Sequence, residues 1–236
     1  IYRTNSDHWC IISRGTTPPS IVMGISGKPE KLVDVDRVSS TNIPIIKRYS
    51  GGGTVIVDES TIFVSLIGNV ELLGVKPWPR EIMNWSGEFY KEVFGGGSDF
   101  QLVENDYCFG TKKFGGNAQA VSRNRFVHHT SFLWTFDNER MGMLTLPEKR
   151  PDYRQSRSHN DFLCTMLDEG KKNQDIKALR SAEDFEEAVI SELSNLFKVK
   201  ETSLDEAISI MDAEHRKTTK LVDLDAYMIN LASSTK

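Results

Sequence analysis

Two glycine-rich segments, each joined to a basic residue and set against β-type sequence, constrain this chain more than any other feature. The first is Lys47-Arg48-Tyr49-Ser50-Gly51-Gly52-Gly53-Thr54; the second is Lys112-Lys113-Phe114-Gly115-Gly116-Asn117-Ala118-Gln119. Glycine lets a backbone approach a ligand closely and adopt φ > 0 without a Cβ clash. Each segment can therefore set bare N–H groups and a fixed positive charge beside an anion. The triple glycine runs into β-branched Thr54-Val55-Ile56-Val57, and Gly-x-x-x-x-Gly-Lys-Ser/Thr is absent. Phosphate loops of the Walker type and dinucleotide fingerprints need glycines that open a helix, so neither fits. Two readings stay open. The glycines form a backbone wall with Arg48 as a planar charged fork, or they form a hairpin turn beside a solvated base.

The chain of 236 residues is long enough for one large domain, or a domain with a small appendage. A net charge of −4 argues against general nucleic-acid binding but leaves room for a local basic patch. Cys10, Cys108 and Cys164 make an odd count with no close pair, which favours a reducing compartment over a disulfide framework. No apolar run approaches the ~20 residues that span a bilayer, so no membrane association is expected. The sequence starts at Ile1 without a signal-peptide pattern, and the expectation is a processed or trimmed form.

The first 135 residues read as β-rich. Trp9–Ile12 and Ile21–Gly24 flank the turn signal Thr17-Pro18-Pro19-Ser20, and Thr61–Ile67 is a further β-branched run. After Pro79, Ile82, Trp85, Phe89 and Val93 recur at helical spacing, and Gly95-Gly96-Gly97 stops that helix. Asp106–Phe109 and Lys112–Phe114 form a hairpin about Gly110-Thr111, and Phe126–Trp134 is a later strand. From Asp184 the chain turns helical, with further helices from Leu204 to about Thr218 and near the C-terminus. Strands first and helices late predict an α+β fold.

Within the second segment, a lysine such as Lys113, if held near an acyl phosphate, would stabilise the negative charge that grows during acyl transfer. Lys112 points to the other face of a strand, so only one lysine faces a site. Asp106 is a candidate to orient that lysine or a nucleotide; exposed edge-strand charges are the alternative. His128 and His129 are adjacent on a strand and face opposite sides, and no metal-ligand spacing accompanies them. Glu148–Arg157 carries a local excess of positive charge, readable as a steering patch for an acidic partner or as a solvated loop.

Arg48-Tyr49-Ser50-Gly51-Gly52-Gly53-Thr54-Val55, Asn105-Asp106, Lys113-Phe114-Gly115-Gly116-Asn117-Ala118-Gln119 and His128-His129-Thr130 together resemble the lipoate–protein ligase A family in order and spacing. The resemblance covers roughly residues 9 to 200 and implies a mixed β-sheet flanked by helices, like the catalytic domain of biotin and lipoate ligases. It implies a two-step reaction in which lipoate and MgATP form lipoyl-AMP, and the acyl group then passes to a lysine on an apo lipoyl domain. Those acceptors belong to 2-oxoacid dehydrogenases or to the glycine cleavage H protein. By position, Lys113 matches the catalytic lysine. Arg48, Gly53, Thr54, Val55, Ile56 and Asp106 match nucleotide-binding positions. Ser50, Gly51, Gly52, Lys113, Gly115, Gly116, Asn117, Ala118 and His129 match the lipoate side, and no metal ligands are implied. The family's setting is the cytoplasm or an organelle matrix.

Departures accompany the match. Residues 1–200 cover the catalytic domain, while residues 201–236 form a helical extension too short for the usual accessory domain. A separate accessory chain, or the transfer half-reaction alone, is the corresponding expectation. The family's first helix is missing or shortened, and Thr130 stands where a glycine is common. Two rivals remain: an octanoyl or lipoyl transferase of the same superfamily, for which Cys108 could border the site, and a non-catalytic scaffold that binds lipoylated proteins. A buried structural role is the preferred reading of Cys108.

Overall fold

The computed structural model describes residue 2 and residues 5–96, 98–148, 150–210 and 219–234. Among the described residues, ten strands build two sheets: β1 (Trp9–Arg14), β2 (Ser20–Met23), β3 (Ile45–Lys47), β4 (Thr54–Val57), β5 (Thr61–Asn69), β6 (Phe100–Val103), β7 (Asp106–Phe109), β8 (Lys112–Ser122), β9 (Arg125–Leu133) and β10 (Lys220–Val222). The larger sheet has the order β1-β5-β9-β8-β7-β6 and is antiparallel throughout. The smaller has the order β10-β3-β2-β4, in which only β2 and β3 run parallel. The fold is α+β, as expected, but the mixed pairing is confined to the smaller of two sheets.

One face of the larger sheet packs on the Pro79–Val93 and Ala182–Leu196 helices. The first starts with Pro at its opening turn, where the missing N–H costs no hydrogen bond. Its Ile82, Phe89, Tyr90 and Val93 are buried. The second is capped by Ser181, whose hydroxyl accepts from Asp184 N at 3.0 Å. Between sheet and helices lies an aromatic core in which Tyr90, Phe94, Tyr107, Phe114, Phe132 and Phe185 are fully buried. A second core joins the smaller sheet to later loops through Ile21, Met23, Ile45, Ile56, Met143 and Phe162.

The triple glycine is not a hairpin turn. β3 and β4, on either side of it, both pair with β2 instead of with each other, so residues 48–53 cross over the end of β2. Close packing requires small residues there: a Cβ on Gly24 would lie 2.3 Å from Gly52 O.

The helix expected from Leu204 to about Thr218 forms over Leu204–Ser209, and residues 211–218 lie outside the described residues. The last helix is Leu224–Ser234. The C-terminal segment is not purely helical, because β10 adds a strand to the edge of the smaller sheet against β3.

Candidate active site

A cleft of about 810 Å³ opens between the two sheets. Strand β8 supplies its floor, and a β-bulge decides which side chains face it. Tyr107 pairs with Gly115 but Cys108 pairs with Lys113, so Phe114 is an extra residue in β8. The bulge moves Lys113 onto the face of Gly116 and away from that of Gly115. A Cβ on Gly115 would press at 3.1 Å on the Phe132 and Tyr107 rings of the core, whereas one on Gly116 would lie 3.4 Å from Lys113 Nζ.

Lys113 Nζ lies 2.7 Å from Asp106 Oδ1, while Lys112 is exposed. Tyr153 OH donates to Asp106 Oδ2 at 2.9 Å and lies 3.3 Å from Cys108 Sγ. Burial and the Asp106 charge push the Tyr153 phenol far above its ordinary range, so it stays a donor. Cys164 N donates to Lys113 O at 2.9 Å, which ties the segment bearing Tyr153 to the edge of β8. Burial pushes the Cys108 thiol up to about 11. A thiolate nucleophile at that position is therefore disfavoured near neutral pH.

His129 lies on the cleft, stacked on Phe63 with ring centroids 4.9 Å apart and with Nδ1 2.6 Å from Ser65 Oγ. Burial, then the nearby Arg48 charge, lower it to about 4. His128 turns the other way, into a polar network with Tyr107, Gln119 and Thr130, and burial lowers it to about 3. Both imidazoles are neutral near pH 7. Thr130 in turn donates to Asn117 Oδ1 at 2.7 Å, and Asn117 Nδ2 donates to Asn105 O at 3.0 Å.

The structure brings Arg48, Gly52, Gly53, Thr54, Val55, Asp106, Lys113, Gly116, Asn117, Ala118 and His129 to one cleft. Ser50, Gly51, Ile56 and Gly115 do not line it. Strand alternation turns Ile56 into the second core, and the bulge turns Gly115 to the first. Arg48 does not extend a free fork. Its Nη2 donates to Gly51 O and Gly53 O, both at 2.9 Å, and its Nη1 donates to Val22 O at 3.4 Å.

Sequence reasoning missed Tyr153, Arg154 and His159. The segment from Glu148 to Arg157 was legible as basic, but it is neither a solvated loop nor wholly a surface patch. Arg154 is 5% exposed, and it lines the cleft with His159 and Phe162. The charged lining comprises Lys28, Lys31, Arg48, Lys113, Arg150 and Arg154 against Glu104, Asp106 and Glu148. An acidic chain thus presents a net positive cleft, the complement of an anionic ligand. The bare glycine wall and the Thr54 hydroxyl, buried there without a hydrogen-bond partner among the described residues, suit a phosphate-bearing ligand. Among the described residues, no group of three or more His, Cys, Asp or Glu side chains is arranged to hold a metal ion.

The fold is α+β, and the cleft between its two sheets joins a lysine, a glycine wall and net positive charge, a complement to an anionic ligand. The profile of the lipoyl protein ligase A/B catalytic domain matches residues 2–194, and the chain belongs to that family. A Plasmodium falciparum protein named inactive lipoate–protein ligase 2 is 32% identical over 177 residues, covering 61% of this chain and 46% of that protein. The chain spans about half or less of the length of the curated relatives it matches. A bipartite lipoate protein ligase from Thermoplasma acidophilum superposes with a TM-score of 0.64 at 19% identity, over 89% of this chain and 81% of that one. A lipoate-protein ligase A crystallised with ATP gives 0.64 at 18% identity, over 89% and 83%. At these identities the solved structures establish the fold.

Proposed function

We propose that this chain transfers a lipoyl group from lipoyl-AMP to a specific lysine of a lipoyl domain, with Lys113 as the catalytic residue. The observation that carries this reading is the Lys113–Asp106 pair, at 2.7 Å, facing the glycine wall across a net positive cleft. A carboxylate is a poor electrophile. In the ligase reaction a carboxylate oxygen attacks the α-phosphorus of ATP and displaces pyrophosphate. The acceptor amine then attacks the acyl carbon, and the C–O bond to AMP breaks. Lys113 faces the oxygens on which charge grows in both steps. Gly53, Thr54 and Val55 form the nucleotide side, and Gly52, Gly116, Asn117, Ala118 and His129 the acyl side. Mg2+ would arrive on the triphosphate, which supplies oxygen ligands of its own. An acceptor lysine, with an unperturbed pKa of ~10.4, reacts as the free amine, and cationic neighbours in the cleft favour that form.

The family profile is that of the lipoyl protein ligase A/B catalytic domain, and one relative is named an inactive ligase. The transfer half-reaction is therefore the core of the proposal, and adenylate formation by this chain, alone or with an accessory chain, is its extension. The test offers purified protein an apo lipoyl domain with lipoyl-AMP, with lipoate plus MgATP, or with octanoyl carrier protein. Modification from lipoyl-AMP supports transfer, and modification from lipoate plus MgATP supports the complete ligase. Use of octanoyl carrier protein alone would favour the octanoyl-transfer rival, and silence with all three a scaffold.

A further inference from the structure

Besides the exposed Arg150, two guanidinium groups border the cleft, and they are used in opposite ways. Arg48 holds the glycine crossover together: Nε and Nη2 bond Gly51 O, Nη2 also bonds Gly53 O, and Nη1 bonds Val22 O. Among the described residues, Arg154 makes a single side-chain hydrogen bond, from Nε to Arg157 O at 3.3 Å, and its buried Nη2 has no partner. The guanidinium lies 4.6 Å above the centre of the Phe162 ring, which fixes its plane. Arg157 braces this arrangement. It donates to Tyr153 O at 2.6 Å, Thr111 O at 2.9 Å and Arg154 O at 3.2 Å.

A buried guanidinium keeps its charge and calls for an oxyanion partner. The charge of nearby Asp106 acts on Arg154, but no hydrogen bond joins them: Asp106 Oδ1 lies against Lys113 and Oδ2 accepts from Tyr153. We infer that Arg154, not Arg48, is the guanidinium that binds the ligand's oxyanion, across the cleft from the glycine wall and beside Lys113. The inference rests on the functional reading above. The chemistry it names is an oxyanion, either the phosphate of the nucleotide or the carboxylate of the acid. Arg48 then acts through the wall it shapes.

The test is calorimetric titration of wild type, Arg154→Gln, Arg154→Lys and Arg48→Gln with AMP, with lipoate and with inorganic phosphate. Loss of a charged hydrogen-bond pair should weaken the responding ligand by about 10- to 100-fold in Arg154→Gln, with partial recovery in Arg154→Lys. A loss confined to AMP and phosphate identifies the phosphate as the oxyanion, and a loss confined to lipoate identifies the carboxylate. Arg48→Gln should lower the melting temperature more than Arg154→Gln does. Where Arg154→Gln does not fold, Arg154→Lys carries the comparison, since it keeps the charge and loses the fork. Wild-type affinity for all three ligands in a folded Arg154 variant overturns the inference and leaves the functional reading standing. Failure of the wild type to bind any of the three overturns both.

Discussion

Asp106 and Lys113 face each other across the β7–β8 hairpin, with Nζ 2.7 Å from Oδ1, only because Phe114 bulges out of register between them. Tyr153 holds the second carboxylate oxygen, so the lysine is oriented by a partner that is itself oriented. This is a preorganised charge of the kind that favours a developing oxyanion. Asp106→Asn is therefore expected to slow single-turnover acyl transfer from lipoyl-AMP by about 10- to 100-fold, with a native circular dichroism spectrum. Tyr153→Phe should cost less, because the ion pair survives it. Quench-flow rates for both variants provide the check.

The glycines of the wall are not equivalent. Gly52 has φ +107°, and a Cβ there would lie 2.6 Å from Arg48 Nη2, whereas a Cβ on Gly53 would meet nothing within 4 Å. Gly52→Ala should destabilise by about 1–3 kcal/mol. At ~2–4 °C per kcal/mol for a chain of this size, thermal unfolding will report it. Gly53→Ala should leave the melting temperature unchanged.

Acid should destabilise the fold well above the carboxylate range. Burial lowers His128 to about 3, and burial with the Arg48 charge lowers His129 to about 4, against ordinary values near ~6.5. The unfolded chain thus binds protons that the native state refuses. Stability from these residues is complete above pH ~6.5 and declines as pH falls towards the native values, at up to ~1.4 kcal/mol per pH unit per histidine. Urea midpoints at pH 7.5, 6.5 and 5.5 should fall in that order. A flat profile would show that both imidazoles titrate normally in the native state.

The strand pattern and the long helices were legible in the sequence, because β-branched runs and helical spacing are local signals. What was not legible depends on register and on distant packing. Alternation alone puts Lys113 on the face of Gly115; the bulge at Phe114 puts it on that of Gly116. The glycine crossover read equally well as a hairpin, since nothing local says that β2 lies between β3 and β4. Arg154 stood inside a basic run, but its burial depends on Phe162 and on the tie between Cys164 and β8.

The cysteine rival has its own test. With the Cys108 thiol pushed up to about 11 by burial, Cys108→Ala should transfer at close to the wild-type rate, and octanoyl carrier protein should leave no thioester on the wild-type protein by mass spectrometry. Loss of transfer in a folded Cys108→Ala would reinstate the thioester route.

The central claim is that Lys113 carries the acyl-transfer chemistry, and the most direct measurement is the rate at which Lys113→Ala modifies an apo lipoyl domain with supplied lipoyl-AMP. Lys113 is partly exposed at the cleft floor, so its removal should leave the fold intact. The expected result is a loss of at least about 100-fold in transfer rate, the scale on which a single oxyanion-stabilising group acts. Transfer at the wild-type rate by a folded Lys113→Ala protein would contradict the assignment.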